Sequence, residues 1–343
     1  MVEIDKRLSQ KIANTGLISM CLVVALHVHV KFDAWSWQWW IHSVITRVAH
    51  VAVPTFFVIS GFLIAGHFSE KGWWAREVCK RVRSLILPYV LWNLLFLLFS
   101  CALTTVASWA GITYGGELWE NLSFARTLQA LGVFPPWRTE IPYLWFVRCL
   151  IVFVACAPLF LFAKRKVCGA WFVLFIFGFY GIFPHVLPPA EDWRIHFMKI
   201  SWVQGFCFFS IGAYLRWNGE GIMRGVRRLP LWAWIALAIA SGFCPFMSCV
   251  SLISLMAVFW LIVPERTWQK WLTGAAFPIF LLHHFVLAAL IAVFRVVGIK
   301  EVMRTSLTAY LVQVPLVIAI CVGITFLFRK MCPKLARIAF GGR

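Results

Sequence analysis

Residues 306–328 read SLTAYLVQVPLVIAICVGITFLF, with no charged side chain among them, Arg304 before them and Arg329-Lys330 after them. A helix needs roughly 17–25 predominantly apolar residues to cross the hydrocarbon core of a bilayer. The run does not alternate apolar and polar residues as a barrel strand would. Backbone groups in lipid must be satisfied within their own segment, so such a run is predicted to be a helix.

The pattern recurs along the chain. Ten spans are expected, at roughly 12–32, 44–66, 85–106, 143–163, 168–187, 201–216, 230–247, 249–263, 274–296 and 306–328. Composition agrees: 62% of residues are hydrophobic and 13% charged, against a usual charged share of about a quarter. The connection from Cys244-Pro245 to Cys249 is short enough for the seventh and eighth segments to form a tight re-entrant pair. The longest connection, about 107–141, contains Gly111, Gly115, Gly116, Pro135 and Pro136 and reads as a folded external loop. Trp109, Trp119 and Trp137 are its interface anchors. No internal repeat is visible. The expected fold is all-α: a polytopic membrane protein, one bundle of about ten transmembrane helices forming a single domain over residues 1–343.

A formal net charge of +19 suggests nucleic acid until the charges are placed. Alternate span ends collect 22 basic residues on one side and 9 on the other, with Arg148 inside a span. The richer set includes the Lys71–Arg83 segment and the residues from Arg329 onward. It belongs in the cytoplasm by the positive-inside rule, which puts both termini there. The excess is an orientation signal, and no nucleic acid partner is expected. Most of the 11 cysteines lie in apolar runs and none has CxxC spacing, so neither a disulfide frame nor a zinc site is expected. The first segment has no small-x-small cleavage site after it and is taken as a retained helix.

Polar groups within spans are costly and mark candidate sites. His27 lies about 7 Å below the outer interface at a 1.5 Å rise per residue. His29, two residues on, points elsewhere, so the pair does not chelate a metal. A buried neutral imidazole is poised to accept a proton; the plainer reading is an interfacial histidine bonded to its neighbours. Arg148 enters from the same face to about 9 Å. It needs an anion, carbonyls or a watery cavity. Ser60-Gly61 permits close helix packing. Lys80, Arg81 and Arg83 serve either as orientation charges touching anionic lipid or as a phosphate clamp. Asn93 adds a polar group to the third span. His283 or His284 could line a cavity in the ninth, or simply pack.

Taken in order, these segments resemble acyltransferase family 3, membrane enzymes typified by O-acetylases of bacterial surface glycans. The resemblance rests on five pieces. They are Leu22–His27, Pro54-Thr55-Phe56-Phe57-Val58-Ile59-Ser60-Gly61, Lys80–Asn93 with its Pro88-Tyr89, Leu144-Trp145-Phe146-Val147-Arg148, and Phe280-Leu281-Leu282-His283. In this chain Gly16 stands where the family usually has an arginine, Phe280 where tyrosine is usual, and Cys149 where an acidic residue is common. The resemblance implies acyl transfer, most often acetyl, from cytoplasmic acetyl-CoA to a hydroxyl of a surface glycan or its lipid-linked precursor. The setting is the bacterial inner membrane. His27 would act as general base, with a transient acyl-His27 as a second route. Arg148 would stabilise the oxyanion or position the acceptor. Lys80, Arg81 and Arg83 would hold the donor's phosphates. Ser60, Gly61, Asn93, Tyr143, Trp145 and His283 would line the substrate cavity. Acetyl-CoA enters as a co-substrate, with no resident cofactor or metal. A flippase for a lipid-linked sugar and a catalytically degenerate sensor are the alternatives.

Overall fold

The computed structural model describes the backbone of residues 2, 4–68, 71–109, 119–132, 141–158, 193–242 and 248–342. Side chains are described over the same residues apart from 103, 107, 121, 142, 193–201, 248 and 249. The predicted fifth span, about half of the external loop and the turn at Cys244-Pro245 lie outside the described residues. Every other predicted span carries helix. Five helical segments are long and apolar enough to cross a membrane: Lys6–His27, Trp37–Ala65, Trp73–Val106, Ala276–Val296 and Leu307–Met331.

Helix α1 (Lys6–His27) is capped by Asp5, whose carboxylate accepts from the Leu8 amide at 2.7 Å. Its polar residues Lys11, Asn14, Thr15 and Ser19 are buried, because a polar side chain in lipid is cheaper facing protein. Asn14 Nδ2 donates to the carbonyls of Pro264 and Arg266, both at 2.9 Å, and Lys11 pairs with Glu265 at 3.3 Å. These bonds tie α1 to the loop before the ninth span.

The second predicted span is broken into α2 (Trp37–Ala49) and α3 (Ala52–Ala65). Pro54 explains the break: its ring crowds the carbonyl four residues back, at His50. Pro88 acts the same way further on. Helix α4 (Trp73–Arg81) runs through a π-helical turn, Val82–Ile86, into α5 (Leu87–Trp109). The Leu87 amide reaches back five residues to the Val82 carbonyl, and Pro88 contributes no N–H of its own. The Ser84 carbonyl freed there meets Gly341, which has φ 68° and no room for a Cβ against that oxygen.

A short helix α6 (Phe124–Ala130) precedes α7 (Trp145–Ala155), and α8 (Trp193–Arg228) follows. At a 1.5 Å rise, α8 is about 54 Å long, so its charged end from Glu220 to Arg228 continues past the predicted span as helix. Helices α9 (Leu231–Gly242) and α10 (Ser248–Ile262) pack on one another, with Ser251 Oγ donating to the Ala238 carbonyl at 2.8 Å. The chain continues through α11 (Lys270–Thr273), α12 (Ala276–Val296), α13 (Lys300–Thr305), α14 (Leu307–Met331) and α15 (Pro333–Ala339).

Helix α1 is central, touching α2, α3, α12 and α14. The closest pairing is α3 against α8. A Cβ at Gly61 would strike the Phe209 carbonyl, and one at Gly212 the Val58 carbonyl. The two backbones therefore touch, as small residues allow between membrane helices.

Candidate active site

Helix α1 ends at His27, where the backbone turns extended at Val28. His27 Nδ1 lies 2.8 Å from the Val23 carbonyl one turn back. A carbonyl can only accept, so Nδ1 carries the proton and Nε2 presents a lone pair. On α12, His283 is fully buried, and its Nδ1 lies 2.7 Å from the Phe280 carbonyl and 3.1 Å from that of Ile279. The same logic leaves its Nε2 as an acceptor. His284 completes the group. The ring centroids stand 5.0 Å apart for His27–His283, and 4.6 Å apart for both His27–His284 and His283–His284.

Tyr143 holds this cluster from the entrance to α7. Its ring stacks on His284 at 4.3 Å with a 4° interplanar angle and lies 4.9 Å from His283. Its hydroxyl donates to the Leu281 carbonyl at 2.9 Å, so one residue fixes both the ring face and the helix that bears it. Trp145 stands one layer away, 6.1 Å from Phe57. Ser60 is half-buried on α3, and Gly61 beside it packs against α8.

Arg148 Nη1 donates to the Gly132 carbonyl at 3.3 Å, and its guanidinium lies over Trp202 at 5.5 Å. The Tyr89 hydroxyl donates to the adjacent Leu131 carbonyl at 2.6 Å. Both side chains thus clamp the turn that ends α6. Asn93 is fully buried; its amide donates to the Tyr89 carbonyl at 2.8 Å, and its oxygen accepts from the Ile141 amide at 3.4 Å. It connects α5 to the strand of chain leading to Tyr143.

In the basic segment, Arg81 is paired with the buried Glu77 at 2.5 Å, while Lys80 stands 3.9 Å from the same carboxylate. Lys80 and Arg83 are exposed. The structure adds Arg216 on α8, whose Nε and Nη1 are buried without a hydrogen-bond partner beside Gly66 and over Phe62. Its position at a span end looked like one more orientation charge in the sequence.

The family model of acyltransferase family 3, an acyltransferase domain, matches residues 17–330. The chain belongs to acyltransferase family 3. It is a membrane acyltransferase by that membership, and the match takes in the whole histidine cluster, the Lys80–Arg83 segment and Arg148. No curated protein and no solved structure matches the chain. Gly16, where the family's arginine is usual, lies just before the matched residues; a Cβ there would meet only Phe56, at 3.9 Å.

Proposed function

We propose that this acyltransferase moves an acetyl group from cytoplasmic acetyl-CoA to a hydroxyl of a surface glycan or its lipid-linked precursor, in the bacterial inner membrane. The observation that carries the reading is the His27 ring. Its Nδ1 is held by the Val23 carbonyl and its other nitrogen is left as an acceptor, at the end of the central helix. An oriented neutral imidazole is what a general base requires.

In the proposed reaction His27 Nε2 takes the proton of the acceptor hydroxyl while the oxygen attacks the thioester carbonyl. The C–S bond then breaks, and the thiolate leaves with the proton that His27 had taken. Arg148 is assigned to the oxyanion or to the acceptor, from the turn it clamps. Lys80 and Arg83 bind the donor's phosphates through charge-assisted bonds. Arg81, already bonded to Glu77, contributes less. Tyr143, Trp145, Asn93 and His283 shape the cavity, and Ser60-Gly61 fixes the α3–α8 wall.

Membranes carrying the His27→Ala variant, supplied with labelled acetyl-CoA, are expected to lose acyl transfer by about 100-fold or more. Full transfer by that variant removes the base assignment. A label that never reaches a glycan in the native membranes removes the acceptor.

A further inference from the structure

We propose that His27, His283 and His284 form a binding site for one divalent transition-metal ion of the zinc type, and that its occupation is incompatible with His27 acting as a base. The first half stands on geometry alone; the second rests on the acyl-transfer reading above. The sequence alone sets His27 beside His29, two residues away on another face, and so predicts no metal. The fold pairs His27 instead with two histidines of α12.

One nitrogen from each of the three rings lies within 4.8 Å of the other two. A tetrahedral ion holds imidazole nitrogens at about 2.0–2.1 Å, which sets them about 3.4 Å apart. Each ring therefore needs to swing inward by about 1 Å or less, a small rotation of a side chain. Nδ1 of His27 and of His283 already bonds backbone carbonyls. That is the outer-shell contact which fixes the tautomer and orientation of a metal-bound histidine. Nε2 of His283 and of His284 is buried with no hydrogen-bond partner. The His27 and His283 Nε2 atoms are acceptors, and with His284 in the tautomer that frees its Nε2 the three lone pairs suit a cation.

The donor set decides the class of ion. Three imidazoles suit zinc, copper, nickel or cobalt, whereas magnesium and calcium need oxygen ligands. Three protein ligands leave a fourth position open to water or a hydroxyl. Tyr143, stacked on His284 and bonded to Leu281, limits how far that ring can turn away. Once the His27 Nε2 lone pair is on a metal, it cannot take a proton.

The test uses the purified full-length protein in detergent, stripped with a chelator and titrated with Co²⁺. We expect one equivalent to bind with the visible absorption of a tetrahedral site and to be displaced by Zn²⁺. Affinity should fall more than about 100-fold in His284→Gln and stay unchanged in His50→Gln, an exposed histidine of the α2–α3 break. His283→Gln should behave like His284→Gln, but the half-buried His284 is the safer substitution for the fold. Absence of saturable one-to-one binding, or equal affinity in native and His284→Gln protein, overturns the site. In the transfer assay, saturating Zn²⁺ should lower native activity by at least about tenfold, and chelator should restore it. Where the Co²⁺ titration shows the site, transfer unchanged or raised by saturating Zn²⁺ overturns the incompatibility and the base assignment; where it shows no site, the metal proposal falls and the base assignment is decided by the His27→Ala assay.

Discussion

At the scale of single residues, orientation matters more than identity. His27 is useful because a carbonyl one turn back holds one nitrogen, and His284 because Tyr143 lies flat against it. The two functions of Tyr143 can be separated. Tyr143→Phe keeps the stacked ring and loses one hydrogen bond, a change of about 0.5–1.5 kcal/mol; transfer is expected to stay within about threefold of native. Tyr143→Ala frees the His284 ring and leaves a cavity, so transfer should fall by at least about tenfold while the protein remains in the membrane. Equal loss in both variants, measured in the same assay, would instead make the hydroxyl the critical group. His27 and His283 are legible in the sequence as polar residues where lipid disfavours them, whereas Tyr143 enters only through the family resemblance. Their meeting is not legible, since residues so far apart in the chain are joined by helix packing alone. His284 was harder still. Neighbours on a helix diverge by about 100°, which argues for choosing one of the pair, yet the His27 ring lies 5.0 Å from one and 4.6 Å from the other.

At the scale of elements, small residues and prolines set the architecture. The α3–α8 contact depends on two glycines whose missing Cβ atoms let each backbone touch the other's carbonyl. Gly61→Ala and Gly212→Ala should each destabilise by about 1–3 kcal/mol, read as a lower thermal midpoint in detergent. Gly16→Ala supplies the contrast. Its Cβ meets only Phe56 at 3.9 Å, and alanine favours helix over glycine by about 0.5–1 kcal/mol, so its midpoint should hold or rise. If Gly61→Ala melts like native protein, the close approach of α3 and α8 is wrong. Apolar run length located the helices well, because the bilayer enforces it. It did not show the break before Pro54 or the π-helical turn before Pro88, although each proline was in view. A proline's effect falls four residues upstream, inside a run that hydropathy treats as uniform. Nor did run length show that α8 continues to Arg228, since a charged stretch that leaves the membrane as helix looks like a loop to a hydropathy scale.

At the scale of the whole molecule, the question is which face meets the cytoplasm. On the charge counts both termini and the Lys80–Arg83 segment are expected inside, which would set the proposed donor site opposite the outer end of α1. Two native thiols test this without disturbing the site. Cys79 on α4 and Cys332 between α14 and α15 are exposed, and the other described cysteines are buried or half-buried. Both belong to the basic-rich set of ends. With Cys168, Cys244 and Cys249 replaced by serine, a membrane-impermeant maleimide should label neither thiol in sealed right-side-out vesicles. Both should react after permeabilisation, or in inverted vesicles. Cys79→Ser and Cys332→Ser then assign the signal to each position. Labelling of Cys332 alone in sealed vesicles would mean an odd number of crossings between α4 and the C-terminus. The short α9–α10 pair could not be responsible, because a re-entrant pair and two full crossings leave the same parity; the miscount would have to lie elsewhere. Labelling of both would invert the bundle, place the basic segment outside, and remove the cytoplasmic donor from Lys80 and Arg83.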